Sequence, residues 1–352
     1  MNSVERVLCA LRRDEPDRLP ILELDIEESV MQKIMPGASR LDFFEKFDVD
    51  GVFVEEDIDF QDTSLGSYIK RDHFGILRDF REMAGSLAWP FPVEPLIGRD
   101  VEDLDAALDN LTIPDPHDPK LLASLRGAID RLKGKKLVIF DMLSSFVYPS
   151  FIRGFSNLLL DYHENPEFAR RLTQMIVDYY VELEKQAIEY GVDAINDSED
   201  YCGNTGPYMS PEHFKEFVLP GLQQVIDVAK VRGIPFIKHS DGNIWALLDM
   251  IVDAGIDAFQ AVEPAAGMDI GEVKKAYGDR IALIGNVDCA QLLTFGTPDD
   301  VRRATLECIR KASPGGGHIL SSSNIIHKGV PPENYLAMIE TAKEYGKYPI
   351  KL

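Results

Sequence analysis

The feature of this sequence that most constrains its fold is a series of short apolar runs that each end in polar residues. We count eight of them along the chain. They are Leu19–Asp25, Gly51–Asp57, Lys136–Met142, Asp193–Glu199, Pro235–Asp241, Asp257–Glu263, Ile281–Asp288 and His318–Asn324. Patterns typical of helices lie between most of them. Strands that alternate with helices build a parallel sheet, so eight such units predict an α/β fold, the (β/α)8 TIM barrel.

The intervening segments carry helical periodicity and helix-start signals such as Ser210-Pro211. The expected helices are Asn165–Tyr190, Pro211–Arg232, Asn243–Ala254, Ile270–Tyr277, Asp299–Ala312 and Pro332–Tyr345. A short amphipathic helix before the first strand forms an N-terminal extension. The alternative architecture, a doubly wound open sheet, lacks the glycine-rich phosphate turn that would follow its first strand.

We interpret residues 1–352 as one barrel domain interrupted after its second strand. Residues 60–135 are too numerous for a single crossover and are read as an insertion with a hairpin and a helix at about Pro119–Leu132. An extended loop after a barrel strand lies on the active face, where it commonly forms a lid or a docking surface.

Charge and cysteine content exclude several classes of protein. The chain has 37 Lys+Arg against 59 Asp+Glu, a net charge of −22, which argues against nucleic-acid or anionic-membrane partners. Its 4 cysteines are scattered without CxxC spacing, so neither a disulfide framework nor a thiolate zinc knuckle is expected, and a reducing cytoplasm is the default location. No apolar run is long enough to predict a membrane span.

Polar residues at the carboxyl ends of barrel strands face one common cavity. The sharpest group is His239 and Asp241, then Glu263, then Asn324, which follow the fifth, sixth and eighth predicted strands. Imidazole, carboxylate and amide groups can hold one metal ion, so His239, Glu263 and Asn324 are the candidate metal ligands. Two structural alternatives stay open: a hydrogen-bonded core histidine, and a turn in which Asp241 caps the next helix.

A second group of strand-end residues provides candidate substrate contacts. Asp197, Glu199, Asn286 and Asp288 carry polar groups that would orient a substrate. Met142 and Phe146 follow the third strand and would wall an apolar pocket, or equally belong to the core.

Three segments carry a resemblance to a known family. They read HSDGN, QAVEPAAGMDIGEVKKAYGDRIALIGNVD and GGGHILSSSNIIHKGVPPENYLAMIETAKEYG. The chain resembles the uroporphyrinogen decarboxylase superfamily, and looks closest to its methyltransferase branch, which includes corrinoid-dependent O-demethylase components. The likeness is strong over about Asp193–Tyr348 and weaker in the N-terminal part. It implies a (β/α)8 barrel, in agreement with the strand count.

Two departures from the family pattern define the expected chemistry. Decarboxylases of this superfamily carry an RQAGRY segment that holds the porphyrinogen carboxylates, whereas the equivalent region here reads ILELDIEESV and would repel a polycarboxylate. In thiol-methylating members of the superfamily, the corresponding residues are similar to a His-x-Cys pattern that is followed by a distant Cys. Here the corresponding positions are His239-x-Asp241 and Asn324, so both thiolates are replaced by oxygen donors.

The replacement leaves more Lewis acidity on a bound metal, which suits a methyl donor with an oxygen leaving group. His239, Asp241 and Glu263 are therefore the candidate catalytic residues, as metal ligands or proton donors. The resemblance implies demethylation of a small methoxylated, aromatic compound, with a partner protein whose Co(I) corrinoid accepts the methyl group. Zinc is the candidate metal, and a homodimer is the candidate assembly because related barrels often pair. The alternatives are a decarboxylase acting on a small acid, and a non-enzymatic corrinoid-accessory protein.

Overall fold

A computed structural model describes residues 1–81 and 90–352; residues 82–89, part of the expected insertion, lie outside the described residues. Seven parallel strands form one curled sheet in the order β1-β6-β7-β10-β11-β12-β13. Their bounds are β1 Gly51–Val54, β6 Leu137–Met142, β7 Ala194–Ser198, β10 Phe236–His239, β11 Ala258–Gln260, β12 Ala282–Ile284 and β13 His318–Ile319. Each lies inside one of the predicted runs, which confirms seven of the eight.

The eighth run, Leu19–Asp25, closes the barrel as an extended segment with isolated pairing. Asp50 N donates to Ile21 O at 2.7 Å on one side, and Leu22 N donates to Leu320 O at 3.0 Å on the other. The segment therefore joins the two edges of the sheet, β1 and β13. Pro20 lacks an N–H, which limits the ladder that this segment can form.

Two apolar layers surround the barrel wall. Leu22, Phe53, Ile139, Ile237 and Ile319 belong to the inner layer, which is continuous with the N-terminal helix α1. That helix, α1 Ser3–Leu11, begins with a capping box between Asn2 and Glu5 and plugs the amino-terminal end of the barrel. Alternate strand residues face the outer helices, so both faces of the sheet are buried.

The outer helices follow the predicted pattern except for one interrupted helix and several short helices that the pattern missed. Their bounds are α2 Glu28–Ile34, α3 Arg40–Lys46, α4 Leu104–Asp109, α5 Ala123–Leu132, α6 Val147–Arg153, α7 Phe155–Glu164, α8 Pro166–Tyr190, α9 Pro211–His213, α10 Leu219–Val231, α11 Trp245–Ala254, α12 Ile270–Tyr277, α13 Leu292–Phe295, α14 Pro298–Ala312 and α15 Pro332–Tyr345. The helix expected over Pro211–Arg232 contains a π-helical turn at Phe214–Val218. Pro220 cannot donate to the preceding turn, which accounts for the interruption. The sequence pattern missed α2, α3, α4, α6, α7 and α13.

The insertion is more elaborate than the expected hairpin. Its described part contains a four-stranded antiparallel sheet in the order β2-β3-β4-β5. The strands are β2 Gln61–Asp62, β3 Ile69–Arg71, β4 Leu77–Asp79 and β5 Phe91–Pro92, followed by α4 and then α5, which begins at Ala123 and not at Pro119. A further two-stranded ribbon, β8 Cys202–Gly203 with β9 Gly206–Pro207, follows β7. Among the described residues, no helix has the length and apolar character that a membrane crossing requires.

Candidate active site

A cavity of about 1150 Å³ opens at the carboxyl ends of the barrel strands. One part of its lining is aromatic: Phe91, Phe146, Phe151, Phe155, Tyr208 and Phe295. Another part is acidic: Asp25, Glu55, Glu56, Asp141, Asp200, Asp241 and Glu263. The cavity is larger than most small-molecule pockets, and it combines an apolar wall with a few convergent polar groups, as binding sites do.

The polar centre of the cavity is a cluster of Asp200, His239 and Asp241. Nε2 of His239 lies 3.6 Å from Oδ1 of Asp200 and 3.6 Å from Oδ1 of Asp241. One ligand atom from each of the three residues lies within 4.8 Å of the other two. His239 is buried at the end of β10, and Asp241 follows it on the same side of the chain. Asp200 follows β7, the neighbouring strand.

Gln260 at the end of β11 orients the His239 ring. Its side-chain oxygen contacts Nδ1 of His239. An amide oxygen accepts a hydrogen bond, so Nδ1 carries the hydrogen and Nε2 faces the two carboxylates. A metal-binding histidine is typically held in this way by its second nitrogen.

The charges of this cluster perturb one another. Burial disfavours the charged imidazole, but the hydrogen bond to Asp200 and the negative charge of Asp241 outweigh it and raise the pKa of His239 to about 9. Burial, together with the charge of Asp200, raises the pKa of Asp241 to about 7. Because perturbed groups in a cavity mark functional sites, this cluster is the candidate reaction centre.

The same three residues fit a divalent metal ion. They supply one imidazole nitrogen and two carboxylates, a donor set that zinc and related ions accept. Oδ1 of Asp241 is buried and accepts no hydrogen bond from the described residues, so it is available to a cation. Three protein ligands leave a position for substrate, as in catalytic zinc sites.

Of the predicted ligands His239, Glu263 and Asn324, only His239 belongs to this trio. Asn324 hydrogen-bonds through Nδ2 to Asp241, and thereby orients one of the ligand carboxylates. Glu263 lines the cavity and accepts a hydrogen bond from Gly242 N at 2.8 Å. The three predicted catalytic residues His239, Asp241 and Glu263 all line the cavity.

The predicted substrate contacts divide into two groups. Met142 and Phe146 line the cavity, whereas Asp197, Glu199, Asn286 and Asp288 are not among its lining residues. Asn286 donates from its side chain to Val262 O at 2.8 Å, and Asp288 accepts from Ala290 N at 2.9 Å. Both therefore shape the backbone beside the cavity.

Asp197 and Glu199 lie on the outer side of the barrel wall. The register pairs Asp197 with Lys238 and Ser198 with His239, so Asp197 faces away from the cavity that His239 enters. Asp197 accepts a hydrogen bond from Ser144 N at 3.1 Å, and Glu199 accepts one from Ser145 N at 2.9 Å. Their position corrects the expectation that they contact substrate: they hold the loop after β6.

Two cavity residues were not assigned a role from the sequence. Asp200 comes one residue after the predicted strand end, beside Glu199. This position next to a strand end was the sequence signal that could have identified Asp200 as a site residue. Asp141 ends the third predicted run, and its Oδ1 accepts hydrogen bonds from Asn196 and Ser198, each at 2.7 Å. Burial raises the pKa of Asp141 to about 6, a value suited to proton transfer near neutral pH.

Comparison with known proteins places this site in a family context. The model of the uroporphyrinogen decarboxylase family matches residues 74–345, more than half of the chain. A methylated-thiol–coenzyme M methyltransferase of Methanosarcina mazei is 28% identical over 222 residues, 62% of this chain and 57% of that protein, so the match spans less than two thirds of this relative. A uroporphyrinogen decarboxylase of Thioalkalivibrio sulfidiphilus is 24% identical over 72% of each chain.

A solved structure has the same fold. A methyltransferase from Methanosarcina mazei superposes with a TM-score of 0.74 at 17% identity, covering 98% of this chain and 99% of that one. At this identity the likeness establishes the barrel architecture and leaves the chemistry to the residues of the site.

Proposed function

The chain belongs to the uroporphyrinogen decarboxylase family, and from that premise we propose that it moves a methyl group from a small methoxylated compound to the corrinoid of a partner protein. The observation that carries the proposal is the Asp200–His239–Asp241 cluster, an oxygen-rich site beside an aromatic wall. The similarity to a Methanosarcina mazei methyltransferase favours methyl transfer within this family.

The chemical difficulty is the leaving group. An alkoxide or phenolate leaves a methyl carbon reluctantly, so negative charge on the ether oxygen must be stabilised as the bond breaks. A divalent ion held by Asp200, His239 and Asp241 would act there as a Lewis acid. Oxygen ligands donate less charge than thiolates and leave the ion more electrophilic.

The protein's own groups manage substrate position and protons. The aromatic wall that includes Phe146 and Phe151 provides the apolar contact that an aryl ring requires. Asp141, with its pKa raised to about 6 by burial, lies in the same lining and is suited to deliver the proton that the product oxygen takes up. Without a metal, the protonated His239 provides a second donor.

The electron pair of Co(I) attacks the methyl carbon and forms the cobalt–carbon bond of methyl-Co(III). The carbon–oxygen bond breaks, its electron pair stays on oxygen, and one proton converts that oxygen to a hydroxyl. The corrinoid is the cosubstrate of this reaction, and it would reach the bound donor through the open end of the cavity beyond the barrel strands.

A spectroscopic assay tests the proposal. The purified protein is mixed with a Co(I) corrinoid protein and a panel of methoxyarenes, with methanol and methylamines as further donors. We expect the cobalt spectrum to change to that of methyl-Co(III) with at least one methoxyarene. Absence of the change with every donor would refute methyl transfer, and a change with methylamines alone would refute the oxygen leaving group.

Decarboxylation of a small acid is the second candidate, because uroporphyrinogen decarboxylases are among the similar proteins. The acidic lining opposes it: Lys328 is present, but no arginine is among the described lining residues. A multiply charged anion would be repelled by such a wall. Release of carbon dioxide in the absence of any corrinoid would identify this activity.

A further inference from the structure

Lys238 is a fully buried cation directly beside the candidate metal ligand His239. Its side chain enters the outer face of the barrel wall, opposite to His239, because successive residues of a strand alternate in direction. Lysine is rarely buried unless its charge is compensated by partners. The structure provides those partners, and their positions suggest a role for Lys238.

The ammonium of Lys238 bridges two neighbouring strand ends. It donates to Asp197 O at 3.0 Å, to Glu199 O at 2.9 Å and to the carbonyl of His239. It also forms an ion pair with Oδ2 of Asp197 at 3.2 Å. The centroid of the Tyr201 ring lies 4.5 Å from Nζ, a cation–π contact.

These contacts lie beyond the last paired residues of the parallel strands β7 and β10. The last register pair of β7 and β10 is Ser198 with His239. Asp200 and Asp241 follow this pair, so the distance between them depends on hydrogen bonds other than those of the sheet. One is the bond from Asp241 N to Oδ1 of Asp200 at 2.8 Å. The other is Lys238, which fixes the peptide immediately before Asp200 and the peptide of His239.

We propose that Lys238 is the positioning residue of the Asp200–His239–Asp241 site. It is not among the residues that line the cavity, and it acts by setting the distance between the two backbones that carry the ligands. This inference rests on the metal site of the proposed function. It adds that Lys238, which lies outside that site, controls the geometry of the site. A shift of one strand end by a fraction of an ångström would separate the carboxylate of Asp200 from the imidazole.

Replacement of Lys238 by methionine tests this role. Lys238→Met retains an apolar stem of similar length but removes every hydrogen bond to the three carbonyls. Loss of an outer partner of a metal ligand typically costs 10–100-fold in metal affinity. We therefore expect Zn²⁺ affinity, measured by calorimetry, to fall by at least about 10-fold. The absorption bands of bound Co²⁺ should shift, because they report ligand geometry.

Lys136→Met is the matched control. Lys136 also uses its ammonium to bind backbone carbonyls, those of Phe47 at 2.8 Å and Val49 at 2.5 Å. It precedes β6 at the amino-terminal end of the barrel, remote from the cavity. Both substitutions should lower the melting temperature, whereas Zn²⁺ affinity should change only in Lys238→Met. This comparison separates positioning from a general loss of stability.

The outcomes are decisive in each direction. Wild-type Zn²⁺ affinity and an unchanged Co²⁺ spectrum in folded Lys238→Met would overturn the inference, as would a wild-type protein that binds neither ion. If Lys238→Met does not fold, Lys238→Gln, which keeps a donor to one carbonyl, is judged by the same criteria. Metal binding that depends on Lys238 without methyl transfer would support this inference and refute the proposed function.

Discussion

Nε2 of His239 lies 3.6 Å from Oδ1 of Asp200, and this pair joins the ends of two neighbouring barrel strands at the floor of the cavity. Asp241 approaches the same nitrogen at the same distance. Two carboxylates around one imidazole carry a net negative charge when the imidazole is protonated. A divalent cation relieves that charge, which is the physical reason to expect a metal here.

Asp200→Asn should weaken metal binding, because the substitution keeps the shape of the side chain and removes its charge. We expect Zn²⁺ affinity to fall by more than the roughly 10–100-fold typical of a lost outer partner. Asp288→Asn is the control, since Asp288 also follows a strand but is not among the cavity-lining residues and accepts hydrogen bonds from the backbone N–H groups of Ala290 and Gln291. Calorimetric titration measures both, and equal affinities in the two variants would contradict the assignment of Asp200.

The strand pattern predicted the barrel well because it depends on a property that every strand shares. Buried parallel strands are apolar on both faces, so short apolar runs mark their positions reliably. The same property hides which face each residue occupies. Nothing in the run DAINDSE distinguishes Asn196 and Ser198, which face inward, from Asp197 and Glu199, which face outward. Lys238 in the next strand was the one indication that Asp197 has a partner elsewhere.

The metal-site prediction was limited by a different cause. The sequence made His239 a candidate metal ligand and Asp241 a candidate catalytic residue, because both lie at a strand end in one short motif. Asp200 follows a different strand and lies next to other acidic residues. A difference of one position along the chain decides which of these acids reaches the site, and the sequence does not show which one does. The position of Asn324 depends in turn on the loop after β13, whose path no periodic pattern defines. Asp200 and Asn324 both lie in loops, whose conformations are set by contacts distant in sequence.

Glu184→Gln should stabilise the protein, increasingly so as the pH rises. Glu184 is buried in α8 with neither carboxylate oxygen hydrogen-bonded among the described residues. Burial, reinforced by the charge of Asp197, raises its pKa to about 9. Between its ordinary pKa of 4.5 and about 9, the unfolded chain loses this proton while the native state keeps it, so stability falls with rising pH.

The amide in Glu184→Gln carries no charge in either state and removes that dependence. At one pKa unit per ~1.4 kcal/mol, we expect a gain of at least about 1 kcal/mol at pH 8 and less at pH 5. Glu189→Gln, at an exposed position of the same helix, is the control. Urea denaturation at both pH values measures the effect, and a gain that does not grow with pH would contradict a protonated Glu184.

Asp50→Ala should destabilise the barrel strongly. Asp50 is fully buried at the point where the first segment joins β1, and it accepts hydrogen bonds from Arg6, Arg18 and Ile21 N at 2.8–3.0 Å. Its loss removes one ion-pair partner from Arg6, which keeps its hydrogen bonds to Asp17, and from Arg18, and it leaves Ile21 N without this acceptor. Breaking a buried ion pair typically costs about 3–5 kcal/mol. Thermal and urea denaturation measure the loss.

Asp48→Ala provides the comparison for this substitution. Asp48 forms an ion pair with Lys343 at 2.6 Å, but its side chain is 55% exposed. Exposed pairs contribute about 0–1 kcal/mol, so the two variants should differ clearly. Similar losses would mean that the buried network does not secure the closure of the barrel.

Two phenylalanines of the cavity should affect different substrates of the proposed reaction. Phe155 is 42% exposed at the rim, where its ring packs edge-to-face on Tyr208 at 5.0 Å. Phe146 is 2% exposed and lies deeper in the same aromatic wall. Under the proposed function, the rim ring would contact the corrinoid protein, whereas the inner ring would contact the methyl donor.

We therefore expect Phe155→Ala to raise the KM for the corrinoid protein by about 10-fold, the effect of losing a contact worth about 1.4 kcal/mol, with little change for the donor. Phe146→Leu keeps the inner wall apolar but removes ring contact, so it should raise the KM for the methoxyarene instead. Steady-state kinetics with each substrate varied in turn separates the two. Because the rings belong to one continuous wall, a reversed pattern would mean that the corrinoid enters the cavity deeper than the donor.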